Sequence, residues 1–178
     1  MPKQSAGLLL YRLANGKPQV FLVHPGGPFF AKKDNGAWSI PKGEFDDNED
    51  PLAAARREFE EEVGKPITGN FIKLQPIKQK SGKTVHAWAV EADIDHTNIV
   101  SNTFEIEWPP KSGKRVAFPE IDRAGWFSLE EAKVKLIAAQ VGMIEELEGF
   151  VFVMLRTKHL VALQRTWSDS SPPAGGSE

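Results

Sequence analysis

The segment 43–64 constrains the fold of this chain more than any other part of its sequence. Asp50 is a good helix N-cap, and Pro51 suits the first helical position because its missing N–H would have no partner there. Residues 52–63 contain no Gly or Pro, and Gly64 then supplies a C-terminal left-handed position before a Lys-Pro pair. The segment therefore predicts a helix that begins at Pro51 and ends just before Gly64.

This predicted helix has an apolar face and an acidic face. At about 100° per residue, one stripe gathers four apolar side chains, which are Leu52, Ala55, Phe59 and Val63. Glu58, Glu61 and Glu62 are related by i, i+3 and i+4, so they cluster on a different face within a few ångströms of each other. Arg57 can reach Glu61 one turn later. The apolar stripe is expected to face the core and the acidic face to remain accessible.

The acidic face predicts a metal site. Like charges packed this closely raise one another's pKa unless a cation sits among them. An all-oxygen ligand set with no His or Cys nearby in sequence favours Mg²⁺, with Mn²⁺ as the other choice, over zinc. The alternative is a solvated acidic face; the accompanying Gly43 and Arg57 favour the metal. Glu49, just before the helix, suits either an N-terminal cap or a metal ligand.

Length and composition limit the classes of protein open to this chain. Its 178 residues, 40% of them hydrophobic, suit one domain with its own core. The net charge of −2 gives no general attraction to nucleic acid or to an anionic membrane. The chain has no cysteine, which excludes disulfides and thiolate chemistry. The apolar run near the N-terminus is too short for a secretory signal, so we expect a cytoplasmic protein. The sequence leaves the oligomeric state open.

Strands are predicted on both sides of the central helix. The predicted strands are 6–11 and 19–24 as a hairpin, a short strand at 38–40, then 70–78, 83–91, 104–108 and 125–127. A Gly/Pro-rich loop follows the hairpin, and residues 109–115 are predicted as another loop. Ser128 and Glu131 form a capping box for a second helix that ends at about Ala139. Strand 83–91 has two apolar faces, so we expect an α/β/α sandwich with a mixed sheet between helices.

The C-terminal part divides into three predicted regions. The main domain is assigned to residues 1–148. Residues 149–167 are apolar but interrupted by charged residues, and they are predicted to form a helical extension that packs on the domain. Residues 168–178, rich in Ser, Pro and Gly, are predicted to be a flexible tail.

The segment 43–64 resembles the Nudix box, the metal-binding loop-helix-loop of hydrolases that cleave nucleoside diphosphates linked to another moiety. Every fixed place of the family pattern is filled except the last, where Lys65 replaces an apolar residue and Ile67 is expected to fill that pocket. The likeness extends over residues 5–140. The Trp-x-x-Pro-Lys-Gly entry at Trp38 is most similar to the subgroup that hydrolyses diadenosine polyphosphates.

The resemblance implies a role for each matching residue. Glu58, Glu61 and Glu62 would be the metal ligands, joined by a backbone carbonyl near Gly43. Arg57 would orient Glu58 or Glu61 through a charge-assisted hydrogen bond.

The general base varies among members of the family. Glu58 is the first candidate here, and Glu120, in a later loop, is the second. Glu105 and Glu107 are weaker candidates, because alternating acids are typical of the wet face of an edge strand.

Substrate contacts are expected from loops beside the box. Lys42 and Lys32 are candidate phosphate ligands, and solvated surface charges are the alternative. Phe30 is the candidate for stacking on a base, together with Phe29 or Trp108, and a core position is the alternative for each. His24 and His86 are expected to be structural.

The implied function is Mg²⁺-dependent hydrolysis of a pyrophosphate bond in a small nucleotide-type substrate, with a dinucleoside polyphosphate as the leading candidate. Two alternatives stay open. One is a pyrophosphatase of nucleoside triphosphates or nucleotide sugars, and the other is a Nudix-like module that binds a nucleotide without cleaving it.

Overall fold

Nine strands, three helices and a 3-10 turn make up the residues described by the computed structural model, which are residues 3–169. The strands are β1 (Gln4–Ala14), β2 (Lys17–Pro25), β3 (Lys42–Glu44), β4 (Ile72–Lys73), β5 (Ile77–Lys78), β6 (Thr84–Glu91), β7 (Thr103–Glu107), β8 (Arg115–Pro119) and β9 (Ile121–Ser128). The helices are α1 (Pro51–Val63), α2 (Leu129–Lys135) and α3 (Val141–Asp169), and the 3-10 turn is Ala138–Gln140.

The main sheet is mixed and is organised around β1. β1 pairs antiparallel with β2 and β3 and parallel with β6, and β2 pairs antiparallel with β9. The order across the sheet is β4-β6-β1-β2-β9, with β3 beside β1 and β5 beside β6. β7 and β8 form a separate two-stranded hairpin. The predicted hairpin of the first two strands is confirmed, and the strands extend further than predicted.

Helices cover both faces of the main sheet. One core cluster joins α1 to the face of β6 that carries Trp88 and Val90. The other joins α2 and α3 to the opposite face, which carries Val85, Ala87 and Ala89. Because β6 is buried on both sides, its side chains on each face must be apolar or hydrogen-bonded. The predicted α/β/α sandwich with a mixed sheet is confirmed.

The sequence signals at both ends of α1 act as predicted. The Asp50 carboxylate accepts a hydrogen bond of 2.9 Å from the Ala53 N–H, which satisfies one of the unpaired donors of the first turn. Gly64 ends the helix with a φ of 77°, which glycine adopts without steric cost. The apolar stripe is buried with Phe59 and Val63 fully inaccessible. The helix therefore has a fixed rotation, and its acidic face points away from the core.

Three predicted elements outside the helices are wrong in detail. Residues 38–40 form only isolated bridges, Val23 to Ser39 and Trp38 to Leu136, and the strand in this region is β3. The predicted strand 70–78 consists of two short pieces, β4 and β5. The predicted loop 109–115 is shorter, because β8 begins at Arg115 and pairs with β7.

Two predicted helix positions also differ from the structure. α2 ends at Lys135 rather than near Ala139, and a 3-10 turn follows. α3 runs without interruption across the predicted boundary between residues 148 and 149 and extends to Asp169. Residues 170–178 of the predicted tail lie outside the described part of the chain.

The start of α3 packs on the domain through one buried face. Met143, Ile144, Leu147 and Val151 are buried in the core. Beyond them, three large apolar side chains are more than half exposed, which are Phe152, Val153 and Leu160. The prediction that the extension packs on the domain is therefore wrong for these side chains. Within residues 3–169, no helix is long and apolar enough to cross a membrane.

Candidate active site

Gly43 of β3 lies directly beneath the Glu58 side chain of α1. A Cβ placed on Gly43 would be 1.6 Å from Glu58 Oε2 and 2.0 Å from Glu58 Cδ. β3 is held in place by its pairing with β1, where Gly43 is opposite Ala6. Glycine is required here because the carboxylate packs against the main chain with no room for a side chain.

The next residue on this strand contacts a second glutamate of the box. Lys42 donates its backbone N–H to Glu62 Oε2 over 2.8 Å. Burial raises the pKa of Glu62 to about 8, and Glu58 and Glu120 add to the shift while Lys42 opposes it. Burial also lowers the pKa of the Lys42 ammonium. Neither the Glu62 carboxylate nor the Lys42 ammonium is fully solvated, so the charge state of each depends on the groups beside it.

Arg57 connects three of the acidic residues. Its Nε and Nη2 atoms donate to the two carboxylate oxygens of Glu49, each over 3.0 Å. Its Nη1 atom donates to Glu58 Oε1 over 2.5 Å and to Glu61 Oε1 over 3.4 Å. Burial raises the pKa of Glu58, and the hydrogen bond from Arg57 opposes that shift. The contact expected from Arg57 is therefore made mainly to Glu58, and Glu49 is the partner that holds the guanidinium in place.

A pocket of about 260 Å³ opens beside Lys42 and Glu62. It brings together four residues that the sequence singled out, Lys42, Phe30, Glu62 and Glu120. The rest of its wall is mostly apolar and consists of Val23, Pro25, Ala37, Ser39, Ile121 and Ile137. A mostly apolar wall with a few convergent charged groups is typical of small-molecule sites.

The other predicted site residues are placed differently. Glu61 is about half exposed on the outer side of α1 and does not line the pocket. Lys32 is exposed on the loop after Phe30 and does not line it either. Glu105 accepts a hydrogen bond from Arg115, and Glu107 accepts one from the Gly113 N–H. These hydrogen bonds hold the two weaker base candidates, Glu105 and Glu107, within the hairpin of β7 and β8.

A family model for the NUDIX domain matches residues 1–147 of the chain. The chain belongs to the NUDIX family. This result confirms the resemblance inferred from the box and, at the level of the family, the predicted class of hydrolases of phosphorus-containing anhydrides. No curated protein sequence matches the chain.

Solved structures share the NUDIX fold with this chain at low sequence identity. The C. elegans Ap4A hydrolase, in a binary complex, is 21% identical to this chain with a TM-score of 0.59. The aligned region covers 83% of this chain and 97% of the hydrolase chain. The NUDIX domain of Shewanella oneidensis NrtR, complexed with ADP ribose, is 14% identical with a TM-score of 0.58 over 85% and 89% of the two chains. A mutT/nudix family protein from Listeria innocua is 18% identical with a TM-score of 0.56 over 90% and 99%.

The donors of the NUDIX box fit a hard divalent cation by their chemistry. Glu58 and Glu62 are partly buried carboxylates with raised pKa values, so a cation would stabilise their charged forms. Among the side chains that the structure describes, no three Asp, Glu or His side chains converge on one point, since Glu58 is turned to Arg57 and Glu62 to the Lys42 N–H. NUDIX hydrolases generally use divalent cations. The ligand set of Glu58, Glu61, Glu62 and Gly43 stays a prediction.

We expect Gly43→Ala to reduce hydrolytic activity between about tenfold and about a hundredfold, because a misplacement of about 1 Å can cost about a hundredfold. The new methyl group would push the Glu58 carboxylate away from β3. The end of a glutamate side chain moves easily, so the melting temperature should change little. Steady-state rates and thermal melts would measure the two effects.

Gly142→Ala is the matched control for this change, because a Cβ at Gly142 has no described atom within 4 Å. It should leave the rate unchanged. Equal rates for the wild type and Gly43→Ala would show that the Glu58 position does not affect activity.

In protein kept free of divalent cations, we expect the free energy of unfolding to decrease as the pH rises from 4.5 to about 8. The folded protein raises the pKa of Glu62 to about 8 from its ordinary value of 4.5. The folded state therefore binds this proton more tightly than the unfolded chain does. The resulting stabilisation is complete below pH 4.5 and is lost as the pH rises through about 8.

Denaturant unfolding with a chelator at several pH values would measure this decrease in the wild type and in Glu62→Gln. In the variant, the part of the decrease in unfolding free energy that comes from Glu62 should be absent. Identical pH profiles for the two proteins would contradict the assignment.

No sequence pattern indicates the apolar wall of the pocket. Val23, Ser39, Ile121 and Ile137 come from four separate segments and carry no motif. His24, which was expected to be structural, is fully buried directly behind this wall, and both of its ring nitrogens have polar neighbours. A buried histidine between two strand residues could have been noted from the sequence, but its partners could not.

Proposed function

We propose that this NUDIX protein hydrolyses a pyrophosphate bond in a nucleoside diphosphate linked to a second moiety, with Mg²⁺ as its cation and Mn²⁺ as a substitute. One observation carries the proposal: the pocket that contains Lys42 and Phe30 is continuous with the Glu62 end of the NUDIX box. A nucleotide could place its base or sugar against the apolar wall while its phosphates lie beside the box carboxylates.

Glu58, Glu61 and Glu62, with a backbone carbonyl near Gly43, are the groups that would hold the cation. When bound, a divalent cation lowers the pKa of a water molecule and offsets charge on the phosphate oxygens. The residues of the chain supply the rest. Arg57 keeps the Glu58 carboxylate in one orientation, and the Lys42 side chain offers a positive charge to the substrate phosphates from within the pocket.

Glu58 and Glu120 are the two candidates for the group that takes the proton from the attacking water. Glu58 is packed against Gly43, whereas Glu120 is exposed on the pocket wall and close enough to Glu58 and Glu62 to raise the pKa of both. Metal-bound water is acidic enough for either carboxylate to serve as a base. Glu58 is our first choice, since its position is fixed by Arg57 and β3.

A dinucleoside polyphosphate is the leading substrate of the proposal. It is supported by the Trp38 to Gly43 entry to the box and by the fold shared with the C. elegans Ap4A hydrolase. ADP-ribose is the second candidate, because a domain of this fold binds it in Shewanella oneidensis NrtR. Both molecules carry a nucleoside diphosphate linked to another group, so the pocket beside the box would serve either one.

A substrate panel with Mg²⁺ tests the proposal. The panel contains diadenosine tetraphosphate, ADP-ribose, nucleoside triphosphates, a nucleotide sugar and NADH, and product formation is followed by chromatography. The control is the double variant Glu61→Gln plus Glu62→Gln, which keeps the size of both side chains. We expect cleavage of at least one panel member by the wild type and none by the control.

Three results would change the conclusion. If the wild type cleaves nothing but binds a nucleotide tightly, the protein is a nucleotide-binding module. Preferential cleavage of nucleoside triphosphates or of the nucleotide sugar would support a pyrophosphatase of that class instead. Full activity of the double variant would show that the predicted metal ligands are wrong.

A further inference from the structure

The loop between Pro25 and Ala37 forms one side of the pocket. Phe30, on this loop, lines the pocket, as do Pro25 and Ala37 at its two ends. The glycine-rich start of the loop is bound to the connection between β8 and β9, since the Gly26 N–H donates to the Glu120 carbonyl over 2.9 Å. The position of this loop therefore sets where Phe30 lies in the pocket.

The last part of the loop is also held. Trp38 donates its indole N–H to Asp34 over 2.8 Å, and Lys135 of α2 forms an ion pair with the same carboxylate. The Gly36 N–H donates to the Val134 carbonyl over 3.0 Å. Between these two anchored ends, the middle of the loop carries exposed residues from Ala31 to Lys33.

The middle of the loop is attached to the core through His24. This imidazole is 0% exposed, and it lies between Val23 and Pro25, which both line the pocket. Its Nδ1 atom is 2.7 Å from Asp122 Oδ1. Its Nε2 atom is 2.8 Å from the backbone carbonyl of Lys33. His24 therefore joins the loop to the start of β9, next to the pocket residues Glu120 and Ile121.

Arg123 offers the Lys33 carbonyl a second donor beside the imidazole. Its Nη2 atom is 2.9 Å from His24 Nε2 and donates to the Lys33 carbonyl over 3.4 Å. When Nε2 carries a proton, that proton can be donated to Lys33. When it does not, Nε2 accepts from Arg123, and Arg123 also donates to Lys33. The three side chains therefore act as one attachment for a single main-chain atom.

We infer that the cluster of His24, Asp122 and Arg123 is a pin that fixes the pocket loop, and that His24 and Asp122 are positioning residues for nucleotide binding. The pin connects the Phe30 side of the pocket to the side formed by Glu120 and Ile121. Loss of the pin lets the loop move and widens the range of positions of Phe30. The inference rests on the proposed function only for the identity of the ligand.

The cluster is more than an ordinary buried histidine with satisfied hydrogen bonds. A structural histidine commonly joins two elements of the core. His24 instead joins the core to an otherwise exposed part of a loop. Its sequence neighbours Val23 and Pro25 both line the pocket, and so does Ile121, which precedes its partner Asp122. A purely structural role would change stability, whereas a pin for the loop must change substrate binding.

Asp122→Ala tests the pin without removing a fully buried side chain, since Asp122 is 29% exposed. We expect KM for the substrate cleaved by the wild type to rise about tenfold, because substrate binding must then order a loop that this hydrogen bond no longer holds, and such a bond is worth about a factor of ten. The value of kcat should change less than about twofold, because the box residues are not touched. Asp122→Asn keeps an acceptor for Nδ1 and should restore most of the wild-type KM.

Limited proteolysis with trypsin gives a readout that does not depend on activity. Lys32 and Lys33 are exposed on the loop, and mass spectrometry identifies cleavage after either one. We expect this cleavage to be about tenfold faster in Asp122→Ala, because a released loop opens more often. The matched control is Asp93→Ala, which removes an exposed ion pair with Arg12 elsewhere on the sheet. It should leave KM and the cleavage rate unchanged.

In an active protein the inference requires both changes. Faster cleavage with an unchanged KM, or a higher KM with unchanged cleavage, would overturn it and leave the proposed function intact. If the wild type cleaves no substrate of the panel, the proposed function fails, and the rate of proteolysis alone decides whether the pin exists.

Discussion

Glu58→Gln should lower kcat by about 10²- to 10⁴-fold, the range expected for the loss of a general base. Glu58 is a predicted metal ligand as well as the first candidate for the base, so the substitution affects the reaction in two ways. Its carboxylate lies between Arg57 and Gly43, where an amide has the same shape but no charge. The measurement is steady-state hydrolysis of the best panel substrate at saturating Mg²⁺.

Glu60→Gln is the matched control, since Glu60 is an exposed residue of the same helix and makes the same change of charge. Its kcat should stay within about twofold of the wild type. Circular dichroism would check that both variants are folded. If Glu58→Gln keeps more than about a tenth of the wild-type kcat while Glu120→Gln does not, the base is Glu120 and Glu58 is at most a ligand.

The part of the site on α1 could be predicted because its signals are local. Asp50, Pro51 and Gly64 act within one turn of the residues that they cap, and the spacing of Phe59 and Val63 fixes which face is buried. Once the buried face is known, the position of the glutamates follows from helix geometry. The same spacing does not determine which way each carboxylate turns, and the partners of Glu62 and Glu49 emerged only from the fold.

The pairing of the strands was harder to predict, because it depends on residues that are distant in sequence. β8 pairs with β7 within a separate hairpin, so neither strand needs the strong apolar pattern of a core strand. Residues 38–40 have the composition of a strand. However, Ser39 forms only a single bridge to Val23, and Trp38 forms only a single bridge to Leu136. The apolar run in α3 predicted a buried helix, and yet Phe152 and Val153 are exposed.

The pocket beside the box is built from residues that are far apart in sequence. Phe30 and Glu120 were chosen as candidates, and the fold places both on the wall of one pocket although they are 90 positions apart. Lys32 is also a candidate phosphate ligand, and it lies outside the wall. In the sequence, Lys42 differs from Lys32 because it directly precedes Gly43 of the box. In the fold, Lys42 also belongs to β3, which is paired with β1 below the box.

The second large effect is expected for Phe59→Ala, which should lower the free energy of unfolding by about 3–5 kcal/mol. Phe59 is 0% exposed, and its ring lies 6.1 Å from Phe21, which makes an edge contact of 5.5 Å with Trp126. Removal of the ring leaves a cavity between α1 and the sheet. This loss is a large part of the total stability of a domain, which is about 5–15 kcal/mol.

Phe152→Ala is the matched control for Phe59→Ala, because it removes the same ring from a position on α3 that is 65% exposed. It should change the free energy of unfolding by less than about 0.5 kcal/mol, as expected for a surface position. Denaturant titration of both variants gives the comparison. An equal loss in the two would mean that the outer face of α3 is packed in solution. A loss below about 1 kcal/mol for Phe59→Ala would mean that the sheet, and not the buried stripe of α1, holds the box helix and its glutamates in place.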